Sequence, residues 1–370
     1  MKGRRILILT ASFGDGHNSA AQGLAEALRR EGGGAVRVEV RDLIRERMPL
    51  AGKSLEWLYR FAITHAPWAW RQFYRAADRL PLESDPAHAL QPLAAALAVE
   101  VRKEPPAAIV ATFPLYPHLL RKVLGDAGPP VHTVVTDSIT IHPVWRADVA
   151  RTYFAADETS AAVLRRMVLP RAEVIDSGFP VDPLFAELPV EPAGVEPKKV
   201  LFFPAASAEV VRRALRSLLR NGPPDCAFTL ALGRHAQRLG GVVEEIRREF
   251  PARVLTPLGW TSGVPELMTR HDLIIAKAGG ATTHECSAAG RPVIITKVVP
   301  GQEEGNAELV QRRGSGVQEE NPGELGPLLS RLAGGREWLA LRDAAWRHRR
   351  AKGALAIARH VLASLEGGPA

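Results

Sequence analysis

Two α/β domains of similar, Rossmann-like build around a cleft are the fold this sequence predicts, on three observations. Strand-like apolar runs alternate with helical patterns almost throughout, as in parallel sheets covered by helices. A stretch rich in Pro and Gly, Leu188 to Lys198 (LPVEPAGVEPK), divides these runs into two series. The length of 370 residues is long for one core and suits two domains of ordinary size.

In the first series, strands are expected at Arg5–Thr10, Val36–Val40, Ala108–Thr112, His132–Thr136, Arg151–Ala155 and Glu173–Asp176, within a domain of residues 1–187. In the second they are expected at Val200–Phe203, Phe228–Leu232, Arg253–Thr256, Leu273–Ala276 and Val293–Thr296, within residues 199–335. The chain reads as helices only from about Glu324, and residues 336–370 are expected to pack back on the first domain. The apolar start MKGRRILILTAS has some features of a signal sequence. Its apolar run is short, however, and leads into a glycine turn and not a cleavage site, so it reads as a first core strand.

Composition narrows the class of function. With 46% hydrophobic and 24% charged residues the chain is a folded globular protein. A net charge of +8 favours an acidic partner: a nucleotide, a nucleic acid or an anionic membrane surface. Cys226 and Cys286 have no metal-ligand spacing, so buried thiols in a reducing, cytoplasmic setting are expected. No apolar run approaches the roughly 20 residues that span a bilayer.

Ligands of parallel α/β sheets bind at the carboxyl ends of strands, so the turns there are the candidates for function. The first is Thr10-Ala-Ser-Phe-Gly-Asp-Gly-His17, with glycines at Gly14 and Gly16. His17, Ala20, Ala21, Leu24 and Leu28 share one helical face, which puts His17 at a helix start. A helix N-terminus disfavours the imidazolium, and a neutral ring is what a general base needs. GDGH lacks the third glycine of the dinucleotide fingerprint G-x-G-x-x-G, so a nicotinamide cofactor loses support. Asp137, at the end of Val134-Val-Thr-Asp-Ser138, is placed to assist His17, to meet a substrate hydroxyl or to cap its own turn. Ser177-Gly-Phe-Pro180 leads the chain toward the second domain. There, Leu232-Gly-Arg-His235 sets Arg234 for a phosphate or on the plain surface. Leu258-Gly-Trp260 offers a ring that covers a base or shields the core.

Arg41 to Arg79 stands apart. It mixes Trp57, Tyr59, Phe61, Trp68, Trp70, Phe73 and Tyr74 with basic residues, among them Arg45, Lys53 and Arg71. Pro67 separates two helical patterns. Aromatic rings at headgroup level beside Arg and Lys suit an anionic membrane surface; the other reading is a helical hairpin with a solvated basic face. No recognised nucleic-acid module accompanies it, so nucleic acid is not expected as a partner.

The densest stretch is Ala276 to Asn306, AKAGGATTHECSAAGRPVIITKVVPGQEEGN. A strand, a tight turn at Gly279 and Gly280, and a helix start carrying Ala281 and Thr282 form a site for an anion. Glu285 has two readings: a carboxylate for a ribose or sugar hydroxyl, or the partner of Thr282 in an S/T-x-x-E capping box.

With these residues together, the chain resembles the family of monogalactosyldiacylglycerol synthases and processive diacylglycerol β-glucosyltransferases, and more distantly the glycosyltransferase that makes lipid II. The likeness runs from the first strand to about Gly316 and rests chiefly on AKAGG-ATTHE combined with PGQEEGN. It implies a two-domain GT-B fold, a UDP-sugar donor held mostly by the second domain and a lipid acceptor entering through the first. By the same resemblance, Glu285 corresponds to the ribose-binding glutamate. Gln302 and Glu303, within the turn ending at Asn306, correspond to the residues that hold the donor sugar. His17 corresponds to the family's base, and Gly233 with Arg234 to a pair near the phosphates. The basic aromatic segment falls where the family has its membrane-associated acceptor region, which implies a peripheral place on the inner face of the membrane. Two departures stand out: Phe203-Pro-Ala-Ala-Ser207 replaces a glycine-rich loop, where Ser207 is a candidate substitute contact, and GDGH replaces GGGH.

The reaction implied is inverting transfer of a hexose from UDP-galactose or UDP-glucose to a lipid such as diacylglycerol. His17, aided by Asp15 or Asp137, takes the proton, and Gly280 and Arg234 stabilise the departing UDP. No Asp-x-Asp is present, so no metal is expected, and no cofactor besides the donor substrate. Two alternatives stay open at this level: a UDP-GlcNAc transferase acting on another lipid, and a non-catalytic membrane-surface binding protein on a transferase scaffold.

Overall fold

The computed structural model describes residues 3–49, 87–125, 128–147, 149–301 and 303–366, together with Ser54, Leu58, Phe61, Trp68 and Gln72. It contains two six-stranded sheets, every strand pair parallel. The chain folds as two units, Met1–Pro183 with Val299–Gly305 and Lys352–Ala370, and Leu184–Val298 with Asn306–Ala351.

The first unit is built on β1 (Arg4–Leu9), β2 (Val36–Arg41), β3 (Ala108–Ala111), β4 (Val131–Val134), β5 (Ala150–Ala155) and β6 (Glu173–Asp176), in the order β2-β1-β3-β4-β5-β6. Ile6 through Leu9 are fully buried, as expected of a parallel strand covered on both faces. Helix α1 (Asp15–Gly32) buries His17, Ala20, Ala21, Leu24 and Leu28, the face that the sequence spacing predicts. The direction of crossover changes at β1: the chain passes to β2 on one side and then to β3 on the other. The turns after β1 and β3 therefore flank a switch point, where α/β sheets bind ligands.

The last described helix completes this core. Ala354, Ile357, Ala358 and Val361 of Gly353–Glu366 are fully buried in one cluster with Ile6, Ile8, Leu24 and Leu28. Burying Ile357 and Val361 contributes roughly 1.5–3 kcal/mol each.

The second unit carries β7 (Lys199–Phe202), β8 (Ala227–Ala231), β9 (Leu255–Leu258), β10 (Leu273–Lys277), β11 (Val293–Lys297) and β12 (Gly316–Gln318), ordered β12-β11-β10-β7-β8-β9. Its switch point lies between β7 and β10. Two details differ from the sequence reading. The expected strand Arg253–Thr256 begins only at Leu255, because Arg253 closes a turn through its amide to the Phe250 carbonyl (3.1 Å). β12 was not expected: three residues are too short to show a period, and pairing with β11 holds them.

Residues 188–198 are irregular but pinned within the second unit. The Asp272 carboxylate accepts the amides of Gly194, Lys198 and Lys199 at 3.1, 3.0 and 2.8 Å. The buried Arg291 donates to the carbonyls of Glu191 (2.6 Å) and Thr269 (2.5 Å).

The basic aromatic segment lies largely outside the described residues. Its first part forms α2 (Leu43–Arg47), capped by Asp42, which accepts the Arg45 amide at 2.9 Å. Farther along, Leu58, Phe61 and Trp68 are exposed, Trp68 by 74%. Among the described residues no helix is long and apolar enough to cross a membrane. Both cysteines are free and buried.

Candidate active site

The turn after β1 needs glycine for a conformational reason. Gly14 is the N-cap of α1 with φ 92°, a value that favours glycine, and nothing lies within 4 Å of where a Cβ would stand. A polar chain holds the turn: Thr10 Oγ1 donates to Asn18 Oδ1 (3.0 Å), Asn18 Nδ2 to Ser12 Oγ (3.1 Å), and Ser12 Oγ to Asp42 (2.7 Å). His17 follows in the first turn of α1, two residues after the exposed Asp15, with Gly16 between them.

The His17 ring is buried and its orientation is set by the neighbouring switch-point turn. Its Nδ1 lies 2.7 Å from the Thr112 carbonyl oxygen and 3.0 Å from Thr136 Oγ1. A carbonyl only accepts, so Nδ1 carries the proton and Nε2 keeps its lone pair. Phe113 meets the ring edge-on at 5.1 Å, and Trp145 lies 6.2 Å away. Burial lowers the His17 pKa to about 4, against the opposing pull of the Thr112 carbonyl. The neutral ring expected from a helix start thus has a larger cause in desolvation.

Asp137 follows β4 but is not paired with His17. Its Oδ2 accepts the Trp145 indole N–H at 2.7 Å, and Thr112 and Thr136 occupy the place of an orienting carboxylate. Burial raises the Asp137 pKa to about 6, opposed by the Trp145 bond and the His142 amide. The next turn is strained: Ile139, a β-branched residue, has φ 55°. Its amide donates to Ser160 Oγ at 3.0 Å, and Ser160 is itself held by Asp157.

The PGQEEGN turn belongs to this first unit up to Gly305. A Cβ at Gly305 would stand 1.8 Å from the Ser138 carbonyl oxygen and 2.4 Å from Thr140 Oγ1, so only glycine fits there. Glu303 is buried; its backbone amide donates to the Val299 carbonyl (2.9 Å) and its carboxylate accepts the Val299 amide (3.0 Å). One carboxylate oxygen therefore closes the turn. Gln302 lies outside the described residues.

In the second unit, α3 (Gly280–Ala289) starts directly after β10, beside the switch point. I-to-i+3 capping is absent there. Gly279 is the N-cap, with no side-chain cap bond, which leaves the first-turn amides of Gly280, Ala281 and Thr282 without a capping side chain. The capping-box reading is therefore overturned: Thr282 stands three residues inside the helix, and Glu285 lies half-buried a further turn along. The helix ends where expected, at Gly290 with φ 65°. Asn306, buried at the start of Glu304–Arg313, donates from Nδ2 to the Ala278 carbonyl (3.0 Å) and so braces the turn before Gly279. Ser207 caps Ala208–Asn221, its hydroxyl oxygen accepting the Val210 amide (3.4 Å). Arg234 is exposed in the short turn Gly233–His235, entered through Gly233 at φ 51°. Trp260 is 72% exposed just past β9.

The structure adds Thr112, Phe113, Thr136 and Trp145 to the surroundings of His17. The signal for the first two was their place at the carboxyl end of β3, next to β1. Nothing local marks Thr136 or Trp145.

The family model for monogalactosyldiacylglycerol (MGDG) synthase matches residues 17–181. The chloroplastic monogalactosyldiacylglycerol synthase of Spinacia oleracea is 28% identical over 357 residues, covering 90% of this chain. This chain spans 66% of that relative's length. The processive diacylglycerol beta-glucosyltransferase of Bacillus thuringiensis is 27% identical over 329 residues, 86% of this chain and 82% of its own. Among solved structures, MurG of Acinetobacter baumannii superposes with TM-score 0.62 at 14% identity, over 97% of this chain and 99% of its own. Phytolacca americana UGT2, complexed with UDP-2fluoro-glucose and pterostilbene, gives 0.61 at 12% identity, over 98% and 100%. These two likenesses concern the fold, which is that of the GT-B glycosyltransferases. Over most of its length the chain is similar to monogalactosyldiacylglycerol synthases and processive diacylglycerol β-glucosyltransferases.

Proposed function

We propose that this protein is a glycosyltransferase that moves a hexose from UDP-galactose or UDP-glucose to the free hydroxyl of a lipid acceptor, diacylglycerol foremost, with inversion to a β-glycoside. The observation that carries this reading is the His17 ring: neutral, fixed through Nδ1 on the Thr112 carbonyl, with Nε2 left as a base at the switch point of the first sheet. It lies within the stretch matched by the family model.

In this reading Nε2 of His17 takes the acceptor proton as the oxygen attacks the anomeric carbon and the bond to UDP breaks. A ring with pKa about 4 is deprotonated at pH 7, and the nearby donor diphosphate raises its basicity as the reaction proceeds. Asp137 acts through Trp145, holding that indole beside His17, and not as the partner of the base. The uncapped amides of Gly280, Ala281 and Thr282, with Arg234, meet the charge that grows on the departing UDP. Glu285 takes the ribose, Trp260 covers the base, and Gln302, Glu303 and Asn306 frame the sugar, with Gly14 and Gly16 keeping the turn before His17 free of side chains. The reaction needs no metal and no cofactor beyond the donor. The protein works as a peripheral enzyme on the inner face of the membrane, reached by the segment 41–79.

The test is incubation with labelled UDP-galactose or UDP-glucose and diacylglycerol vesicles, with the product anomer read by NMR. His17→Ala should lower turnover by about 10²–10⁴-fold while UDP still raises the melting temperature. Glu285→Ala should abolish that UDP shift. Absence of glycolipid from both donors, together with no UDP shift in the unaltered protein, overturns the assignment.

A further inference from the structure

A cavity of the first unit lies at the other end of its sheet from His17. It measures about 620 Å³ and is bounded by the amino ends of β4, β5 and β6 and by the C-terminal helix Gly353–Glu366. Arg121, Arg151 and Arg171 line it from three separate elements, with His132, His360 and a carboxylate, Glu173. Among the described residues that is three guanidinium groups against one acid, and the Glu173 oxygen already stands 3.7 Å from His360 Nε2. Guanidinium groups supplied by separate segments match a phosphate, whose oxygens accept on several sides.

A second observation comes from His132, which is 1% exposed. The Ser364 hydroxyl donates to the Val361 carbonyl (2.7 Å), so its oxygen accepts from His132 Nε2 at 3.2 Å. The proton therefore sits on Nε2. Burial, with the charges of His360 and Arg151, keeps the ring neutral by lowering its pKa to about 4. Nδ1 is then a lone-pair acceptor, and it is buried without any hydrogen-bond partner. A buried acceptor left without a donor is destabilising, and a ligand hydroxyl would remove that penalty. The cavity is far larger than a phosphate alone requires and falls in the range of small-molecule sites. Pro129, Pro130 and Val149 supply apolar wall for an organic body.

We propose that this cavity binds a phosphorylated polyol, its phosphate among Arg121, Arg151 and Arg171 and a hydroxyl donating to His132 Nδ1, at a site separate from the donor site. The polyol phosphate is either a soluble sugar phosphate or the headgroup of a phospholipid.

The full-length protein is titrated by calorimetry with glucose 6-phosphate, and separately sedimented with phosphatidylcholine vesicles containing phosphatidylinositol, both under saturating UDP. Saturable binding is expected in at least one arm; the soluble arm identifies a free metabolite and the vesicle arm a lipid headgroup. Arg151→Glu, at an exposed position of β5, should weaken it at least about tenfold, the equivalent of one charge-assisted hydrogen bond. His132→Phe keeps the ring shape and should weaken it severalfold, and the His132 imidazole NMR signals of the unaltered protein should shift on binding. UDP affinity, unchanged in both variants, reports that the fold and the donor site are intact. Saturable binding in neither arm overturns the proposal. So does binding that Arg151→Glu and His132→Phe both leave within about twofold of the unaltered protein.

Discussion

Replacing His17 by Asn isolates the energetic cost of keeping that imidazole neutral. The Asn Nδ2 stands where Nδ1 does and keeps a donor toward the Thr112 carbonyl, while the titrating ring is gone. In the folded protein the His17 pKa is lowered to about 4, whereas the free side chain titrates at 6.5. Between these values the unfolded chain binds a proton that the folded chain does not, so stability falls as pH falls from about 6.5 toward 4 and is fully present above 6.5. A difference of about 2.5 pKa units at 1.36 kcal/mol each, less the fraction already titrated at pH 7, gives about 3 kcal/mol lost between pH 7 and pH 4. His132, also lowered to about 4, adds a loss of the same sign. Asp137 works the other way: its folded pKa of about 6 exceeds the ordinary 3.8, so the folded chain holds a proton that the unfolded chain has lost, and acidification relieves that cost. Both contributions cancel in the difference between the parent and His17→Asn. Urea unfolding at a series of pH values measures that difference. The parent's advantage over the variant should be constant above pH 7 and shrink by about 3 kcal/mol toward pH 4. Stability curves that stay parallel through this range would refute a buried, neutral His17.

Two further outcomes follow from close contacts. Gly305→Ala forces a Cβ to within 1.8 Å of the Ser138 carbonyl, so the backbone must shift. It should cost about 1–3 kcal/mol in urea unfolding and lower the proposed hexose transfer, in which Glu303 on the same turn is given a part. Asp272→Ala removes the acceptor for the amides of Gly194, Lys198 and Lys199 and should cost about 1–3 kcal/mol. Faster proteolytic nicking between residues 188 and 198 is the accompanying readout; an unchanged nicking rate would show that the carboxylate does not hold that segment.

Much of the architecture was legible because parallel strands, buried on both faces, appear as continuous apolar runs. Ile6–Leu9 and Leu273–Ala276 are of that kind. The three-residue β12 carries no such run and exists only through its pairing with β11. At the site, the glycine turns and His17 were visible as punctuation at strand ends. Thr282 illustrates the limit. Its spacing to Glu285 satisfies a capping box, yet Gly279 begins the helix, because β10 ends at Lys277 and the chain turns at once. Ser207, a candidate ligand contact in the sequence, has a second role that spacing does not reveal, as the cap of its own helix.

The sequence alone therefore determined the two α/β domains, the order of their elements, the positions of the glycine turns at strand ends and the family resemblance. These depend on local periodicity and on residues adjacent in the chain. Only the tertiary structure decided which proton His17 carries, since Thr112 and Thr136 come from strands some hundred residues away. It also decided that Asp137 serves Trp145, that Gly305 is required by the Ser138 carbonyl, and that His132 keeps an unpaired nitrogen beside three arginines. Hydrogen bonds and desolvation are set by neighbours in space, and sequence spacing does not encode them.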